Sequence, residues 1–167
     1  MRPAAAALVL AAANALAADG GGTLGGTYAV RLLTPETALK AAQAALAKCR
    51  AQAFQVSVAV VDRSGITQVL LRDRFAGPMS IDIAQRKAQT AASLRMDTSV
   101  LERETQPGKP AAGLRRAPSV LALGGGRVIE AGGALVGAIG VSGAPGPAND
   151  DTCAAAGIAA IAEDLEF

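Results

Sequence analysis

Hydrophobic and polar positions repeat with two different periods along the first half of this chain. Residues 34–36, Thr-Pro-Glu, form a strong helix start, and apolar side chains then recur at helical spacing through Cys49. Valines alternate with small residues over 54–61, which predicts a β-strand. The Asp-Arg-Ser-Gly sequence at 62–65 predicts a hairpin turn, so 66–72 is the expected returning strand.

The second half of the chain alternates helices with shorter strands. A second helix is predicted from Ser80, and Ser99 with Glu102 has the spacing of a capping box for a short third helix. Three short strands and a last helix are predicted to follow, over 120–123, 127–130, 134–141 and 151–163. The order α-β-β-α-α-β-β-β-α predicts a single α+β domain with a mainly antiparallel, five-stranded sheet and flanking helices.

The strand predicted over 134–141 contains glycines that fit neither period. Gly137, Gly140 and Gly143 recur every three residues. Glycine inside a strand often marks a place where a ligand or another backbone comes close. We therefore expect this strand to form a tightly packed wall beside a pocket or a subunit contact.

The composition limits the classes of partner. Hydrophobic residues make up 51% of the 167 residues but aromatic residues only 2%, so the core is aliphatic and the chain has no set of rings on which bases would stack. The net charge is only +2 and its signs are interspersed, unlike the basic surface that binds phosphate backbones. We expect no nucleic-acid partner.

The N-terminus has the three parts of a secretory signal peptide. Arg2 supplies the positive charge, 4–13 is apolar, and Ala-Leu-Ala at 15–17 is a cleavage site. The apolar run is too short to span a bilayer, so we expect a periplasmic or secreted protein without stable membrane insertion. The chain is expected to divide into a signal peptide, a flexible glycine-rich linker and one domain, over 1–17, 18–33 and 34–167.

Export changes the interpretation of the two cysteines. Cys49 lies near the end of the first predicted helix and Cys153 near the start of the last. In an oxidising compartment the two can form a disulfide if these helices pack together. The alternative is that both are small buried hydrophobic residues, and the sequence leaves this choice open.

The chain contains no histidine, which excludes Ser/His/Asp and Cys/His nucleophilic catalysis in their usual forms. Its glycines match neither a phosphate-binding loop nor a dinucleotide fingerprint. We do not expect an enzyme, although an enzyme that uses Lys87 or Asp150 as acid or base is one alternative hypothesis.

Three blocks of sequence resemble the GlcG/HbpS family. They are AVVDRSGITQVLLRDRF, SIDIAQRKAQTAA and GGRVIEAGGALVGAIGVSGA, and Asp150 follows in the next loop. The resemblance extends from about Thr34 to the C-terminus, and related domains occur at the C-terminus of some corrinoid adenosyltransferases. It implies a profilin-like or PAS-like domain that is usually a homo-oligomer. Some members bind haem or other tetrapyrroles, and many have no established activity.

The resemblance also implies a ligand pocket between the sheet edge, the glycine turns at 124–126 and 132–133, and the loop at 74–79. Lys87 would hold an anionic group as a point charge. The candidate cofactor-binding residues are Arg74, Met79, Lys87, Gly125, Gly126, Ser142 and Asp150.

Each candidate has a purely structural alternative. The two glycines would form a plain turn, Ser142 would end its strand, and Met79 would be a packing residue. Lys87 would be an exposed lysine on a solvated face, and Asp150 would cap the last helix.

Haem is the cofactor that the resemblance implies, yet its usual proximal ligand, histidine, is missing. The remaining options are Met79, Met96, Tyr28, Cys49 and Cys153. Met79 is the most accessible by its position before the second helix, so it is the predicted metal ligand.

The leading hypothesis is an exported, non-catalytic protein that binds a small molecule and acts as a carrier, sensor or accessory component. The alternative is a structural or assembly subunit that forms a homo-oligomer or supports a periplasmic enzyme or sensor partner.

Overall fold

The computed structural model describes residues 25–166, so the predicted signal peptide and residues 18–24 of the predicted linker lie outside the described residues. The chain divides after Val30 into a short N-terminal unit and a compact unit that carries the helices and strands below. Within the described part, no helix is long and apolar enough to cross a membrane.

The compact unit contains the following elements within the described residues. Its α-helices are α1 (Pro35–Ala51), α2 (Met79–Leu94), α3 (Thr98–Glu104) and α4 (Pro147–Ala159). Its strands are β1 (Ser57–Asp62), β2 (Thr67–Arg72), β3 (Gly126–Ala131) and β4 (Ala134–Ser142). Short 3₁₀ turns occupy Ala112–Arg116 and Glu163–Leu165.

The strands form one antiparallel sheet in the order β2-β1-β4-β3. Val60 in β1 pairs with Val69 in β2 on one side and with Ile139 in β4 on the other. Helices α1 and α4 cover one face of the sheet, and α2 covers the other. The α+β class expected from the sequence is therefore confirmed.

Helix α1 starts where its local signals predict. The Thr34 hydroxyl accepts a hydrogen bond from the Thr37 amide at 3.2 Å, and Pro35 occupies the first turn. The helix packs closely on α4, because a Cβ added at Gly157 would lie 2.7 Å from the Ala41 carbonyl oxygen.

Cys49 and Cys153 form a disulfide that joins α1 to α4, with Cα atoms 5.6 Å apart. The structure thus decides the choice that the sequence left open. Neither cysteine is available to ligate a metal while the bond is intact.

The glycine-rich strand packs against the chain's own backbone. A Cβ at Gly140 would lie 2.1 Å from the Ala84 carbonyl oxygen in α2, and one at Gly143 would lie 2.7 Å from the Gln55 carbonyl oxygen. The expected tight wall is present. At these glycines the backbone that comes close belongs to neighbouring segments of the same chain.

The predicted strand over 120–123 does not form, and the described sheet has four strands instead of five. The Leu121 amide donates to the Thr90 hydroxyl at 3.0 Å, and the Gly124 amide donates to the Glu102 carboxylate at 3.0 Å. Side chains from α2 and α3 therefore bind backbone groups that a sheet would otherwise pair.

Two predicted helix starts are also wrong. The capping box fails because Asp97, not Ser99, stands at the N-cap of α3 and because Glu102 binds the glycine turn. Helix α4 begins at Pro147 instead of near residue 151, with proline in its first turn, where the missing amide hydrogen has no helical acceptor to lose.

Candidate functional site

Lys87 and Asp150 form a buried ion pair between α2 and the first turn of α4. The Lys87 Nζ donates to Asp150 Oδ2 at 2.8 Å and to the Val141 carbonyl oxygen at 2.9 Å. Their side chains are only 1% and 5% exposed. Asp150 Oδ1 accepts a further bond from the Ala144 amide at 3.0 Å, so both charges are satisfied within the chain.

The glycine turn before β3 closes over this pair. Gly125 has φ +110°, and a Cβ there would lie 2.7 Å from the Asp150 Cβ and 2.9 Å from the Lys87 Nζ. At Gly126 a Cβ would lie 2.5 Å from the Lys87 carbonyl oxygen. We call these four residues, Lys87, Gly125, Gly126 and Asp150, the ion-pair cluster.

Burial sets the electrostatics of the cluster. Desolvation lowers the pKa of Lys87, and the attraction and hydrogen bond of Asp150 oppose this effect. Desolvation likewise raises the pKa of Asp150 against the opposing influence of Lys87. The cluster joins α2, β4 and α4, and in this conformation neither side chain is accessible to an external ligand.

Two structural alternatives from the sequence are thereby wrong. Lys87 is not on a solvated face, because its side chain is buried against Asp150. Asp150 does not cap α4, whose N-cap is Gly146, since its carboxylate binds Lys87 and the Ala144 amide.

Ser142 lies buried at the end of β4, directly after Val141, whose carbonyl oxygen accepts from Lys87. It pairs with Ser57 of β1, whose hydroxyl lies 2.8 Å from the Ser80 hydroxyl. Ser80 also donates to the Gly77 carbonyl oxygen at 2.6 Å. Ser57 and Ser80 therefore hold the junction where the loop before α2 joins the helix.

The other two candidates are Arg74, which lies in that loop, and Met79, which is the first residue of α2. We call residues 74–79 the presenting loop. Its preceding residue, Asp73, is buried and accepts two hydrogen bonds from the Arg50 guanidinium, at 2.8 and 2.9 Å. The hydrogen bond from Arg50 is the main reason why the pKa of Asp73 falls from 3.8 to about 2. At the loop centre, the Arg72 Nε donates to the Ala76 carbonyl oxygen at 2.9 Å.

The presenting loop projects large side chains into solvent. Phe75 is 79% exposed and Met79 is 68% exposed, and Arg74 is exposed beside them. Sequence reasoning identified Met79 and Arg74 but missed Phe75. Phe75 is one of only three phenylalanines in the chain, and it lies in a polar turn. A large aromatic residue in such a turn was the sequence signal for an exposed binding residue.

The seven candidates thus divide into two groups instead of lining one pocket. The ion-pair cluster is sealed, whereas Arg74 and Met79 are exposed in the presenting loop, and Ser142 is buried and belongs to neither group.

A separate cleft of about 390 Å³ lies beside the glycine turn, and neither Lys87 nor Asp150 is among its lining residues: Ser99, Glu102, Arg103, Gly124, Pro147, Ala148 and Asp151.

Metal chemistry has few possible ligands in this fold. Over residues 25–166, no three His, Cys, Asp or Glu side chains are placed to hold a metal ion together. The sulfurs of Cys49 and Cys153 are bound to each other. The exposed Met79 thioether is accordingly the sulfur that the presenting loop offers to a metal.

A four-stranded antiparallel sheet, covered by α2 on one face and by the disulfide-linked α1 and α4 on the other, defines a small α+β domain. The family described as haem degrading protein HbpS-like matches residues 33–159. The chain belongs to this GlcG/HbpS family, as the sequence blocks indicated.

Relatives with solved structures share the fold over most of their length. A double mutant of HbpS from Streptomyces reticuli superposes with a TM-score of 0.74 at 41% identity, covering 94% of this chain and 97% of that one. A complex of PduOC with haem superposes with a TM-score of 0.74 at 30% identity, covering 78% and 95%. GlcG of Escherichia coli K12 is 36% identical over 89 residues, which are 53% of this chain and 65% of GlcG.

Proposed function

We propose that this chain is an exported protein that binds haem or a related anionic tetrapyrrole without histidine ligation. In this proposal it acts as a carrier, sensor or accessory component and does not catalyse a reaction. Membership of the HbpS-like family supports a haem ligand, as does the likeness to PduOC, whose structure contains haem.

The observation that carries the proposal is the composition of the presenting loop. Haem is a flat apolar ring system with an iron and two carboxylates. Met79 offers a thioether for the iron, Phe75 an aromatic ring for the macrocycle, and Arg74 a guanidinium for a carboxylate. The side chains of Arg74, Phe75 and Met79 therefore match the chemical groups of haem. Bound haem would supply its own redox and ligand chemistry, and the loop would bind and orient it.

The burial of the ion-pair cluster supports the non-catalytic part of the proposal. The enzyme hypothesis needed Lys87 or Asp150 as an acid or base in contact with a substrate. Both side chains are enclosed and bonded to each other, so neither is placed for that role. The assembly hypothesis stays the alternative, although the glycines of β4 are accounted for by packing against segments of the same chain.

Export is supported by two features. The N-terminal sequence has the three parts of a signal peptide, and the disulfide is of the kind that persists in oxidising compartments. Expression of the full chain in a Gram-negative host should give a periplasmic protein whose intact mass corresponds to a start at Ala18. A full-length mass confined to the cytoplasm would contradict this part of the proposal.

Titration of the mature protein with haemin tests the ligand. We expect a saturable shift of the Soret band, which Met79→Ala weakens and the control Met96→Ala leaves in place. A spectrum identical to free haemin would reject haem as the ligand. Bleaching of the band under a reductant and oxygen, absent with haemin alone, would indicate degradation and contradict the non-catalytic role.

A further inference from the structure

Residues 106–119 form a long surface segment between α3 and the glycine turn. None of them is buried, and the segment contains the 3₁₀ turn Ala112–Arg116 but no strand or α-helix. Its backbone-to-backbone hydrogen bonds connect residues three positions apart, as from the Ala117 amide to the Leu114 carbonyl oxygen at 3.1 Å. Because these bonds are local turns, the segment can open into an extended conformation without breaking the sheet or an α-helix.

Two residues beside the 3₁₀ turn are tied to the rest of the domain by arginine side chains. Arg115 donates to the Thr105 and Glu102 carbonyl oxygens at 2.8 and 2.7 Å. The Pro118 carbonyl oxygen accepts from a side chain of α2 at 3.1 Å. Arg116 lies between these ties, is exposed, and makes no hydrogen bond or ion pair with another residue in the described part of the chain. Its guanidinium is therefore free to enter the pocket of a partner.

An exposed arginine in a segment that can open is a substrate for an endoprotease whose specificity pocket contains a carboxylate. Lys109 is a poor site for such an enzyme, because the ring of the following Pro110 restricts the bond to be cut and supplies no amide hydrogen. The guanidinium of Arg115 is already bonded to carbonyl oxygens. Within this segment, the bond between Arg116 and Ala117 is left as the accessible one.

The presenting loop also exposes an arginine, but its backbone is held. The Arg74 amide donates to Asp73 Oδ1 at 2.9 Å. Ala76 is buried, and its carbonyl oxygen accepts from the Arg72 Nε at 2.9 Å. Opening this loop would expose Ala76 and break contacts of the buried Asp73 carboxylate, whereas opening 106–119 breaks turns. A protease should therefore cut after Arg116 before it cuts after Arg74.

The two parts of a chain cut in this segment stay joined. The disulfide between Cys49 and Cys153 links α1, which precedes the segment, to α4, which follows it. The antiparallel pairing of β1 with β4 and the ion pair of Lys87 with Asp150 also connect the two parts. Reduction alone should not be enough to separate them while the fold is intact.

We propose that the Arg116–Ala117 bond is a cleavage site for a trypsin-like endoprotease and that the product is a two-chain protein joined by the disulfide. The cut is a hydrolysis: the C–N bond breaks, the hydroxyl of water goes to the Arg116 carbonyl carbon, and its hydrogen goes to the Ala117 nitrogen. This inference is independent of haem binding, because it rests on the exposed segment and on the disulfide.

Limited digestion of the mature, disulfide-bonded protein with a small amount of trypsin tests the proposal. The first product should be heavier than the intact chain by one water molecule and should run as a single band in denaturant without reductant. Reduction in denaturant should separate it into two fragments, one that ends at Arg116 and one that begins at Ala117. Mass spectrometry of the reduced sample identifies the cut bond.

Two matched variants test the choice of arginine. Arg116→Gln should slow the first cut by about tenfold or more, because the specificity pocket loses its cation. The control Arg74→Gln should leave the rate of the first cut as in the wild type. Both side chains are exposed, so the melting temperatures of the two variants should match that of the wild type.

Other outcomes overturn the inference in distinguishable ways. A first cut after Arg74, after Lys109 or outside residues 106–119 rejects the site, as does a rate unchanged in Arg116→Gln. If the folded protein resists trypsin that digests the urea-unfolded chain, the segment does not open as proposed. Fragments that separate in denaturant without reductant would reject the disulfide-joined product but leave the cleavage site intact.

Discussion

Lys87 and Asp150 are suited to a double-mutant cycle, because each is the other's buried partner. Lys87→Met leaves the Asp150 carboxylate without its counter-charge, so we expect the free energy of unfolding to fall by about 3–5 kcal/mol. In Lys87→Met/Asp150→Asn the buried charge is gone and an amide oxygen still faces the Ala144 amide, so most of this loss should be recovered. Urea unfolding measures the free energy of unfolding of the single and the double variant. Equal instability of the single and double variants would contradict the account.

The glycine turn offers a matched pair of substitutions. In Gly126→Ala the new Cβ meets the Lys87 carbonyl oxygen at 2.5 Å, so backbone must shift, and we expect a loss of about 1–3 kcal/mol. In Gly124→Ala the nearest atom is the Pro147 Cβ at 3.3 Å, and φ is not positive. That control should change stability by less than about 1 kcal/mol. Thermal and urea unfolding measure the stability of the two variants. Equal losses of stability would show that the close contact with the Lys87 backbone is not what excludes a side chain at Gly126.

Asp73 makes the stability depend on acid pH. Its pKa is about 2 in the folded chain against 3.8 ordinarily, so the folded state binds this proton less tightly than the unfolded state. Its contribution is therefore complete above about pH 4 and is lost as the pH falls towards 2. Asp73→Asn should remove this part of the acid dependence in urea unfolding. The raised pKa of Asp150 changes stability with pH in the opposite direction. If the free energy of unfolding of Asp73→Asn depends on acid pH as in the wild type, a group other than Asp73 causes that dependence.

At the scale of elements, the disulfide between α1 and α4 spans 104 residues of sequence. Cys49→Ala/Cys153→Ala should lower the free energy of unfolding by about 2–5 kcal/mol, because the unfolded chain is no longer constrained. Both cysteines are fully buried, so a dithiol reductant should act slowly on the folded protein and quickly in urea. A thiol-reactive probe measures this, and equally fast labelling without urea would contradict the packing of these helices.

The helices and strands also show which signals act locally. The start of α1 and the turn at 62–65 were predictable, because Thr34 and Asp62 bind amides within four residues of themselves. Residues 120–123 were predicted as a strand from their apolar character. Their backbone instead meets Thr90, 31 residues earlier in the sequence, a contact that no local pattern contains.

At the scale of the whole molecule, the candidate residues were predicted as one pocket and occur as two groups. Lys87 and Asp150 are 63 residues apart in sequence and form a direct hydrogen-bonded ion pair. Both were expected to contact a ligand, but in the folded chain they bind each other. The presenting loop depends on Arg50 and Asp73, 23 residues apart. The assignment of ligand-binding residues in this family therefore needs the three-dimensional arrangement and not only the order of sequence blocks.

The sequence by itself determined the family, the α+β class, the absence of histidine chemistry and most element boundaries, since these depend on composition, local periodicity and neighbouring residues. Only the tertiary structure decided that Cys49 and Cys153 are joined, that Lys87 is enclosed and that Phe75 is presented to solvent. The physical reason is that disulfides, buried charges and exposure depend on which segments pack together. Those contacts join residues that lie far apart along the chain.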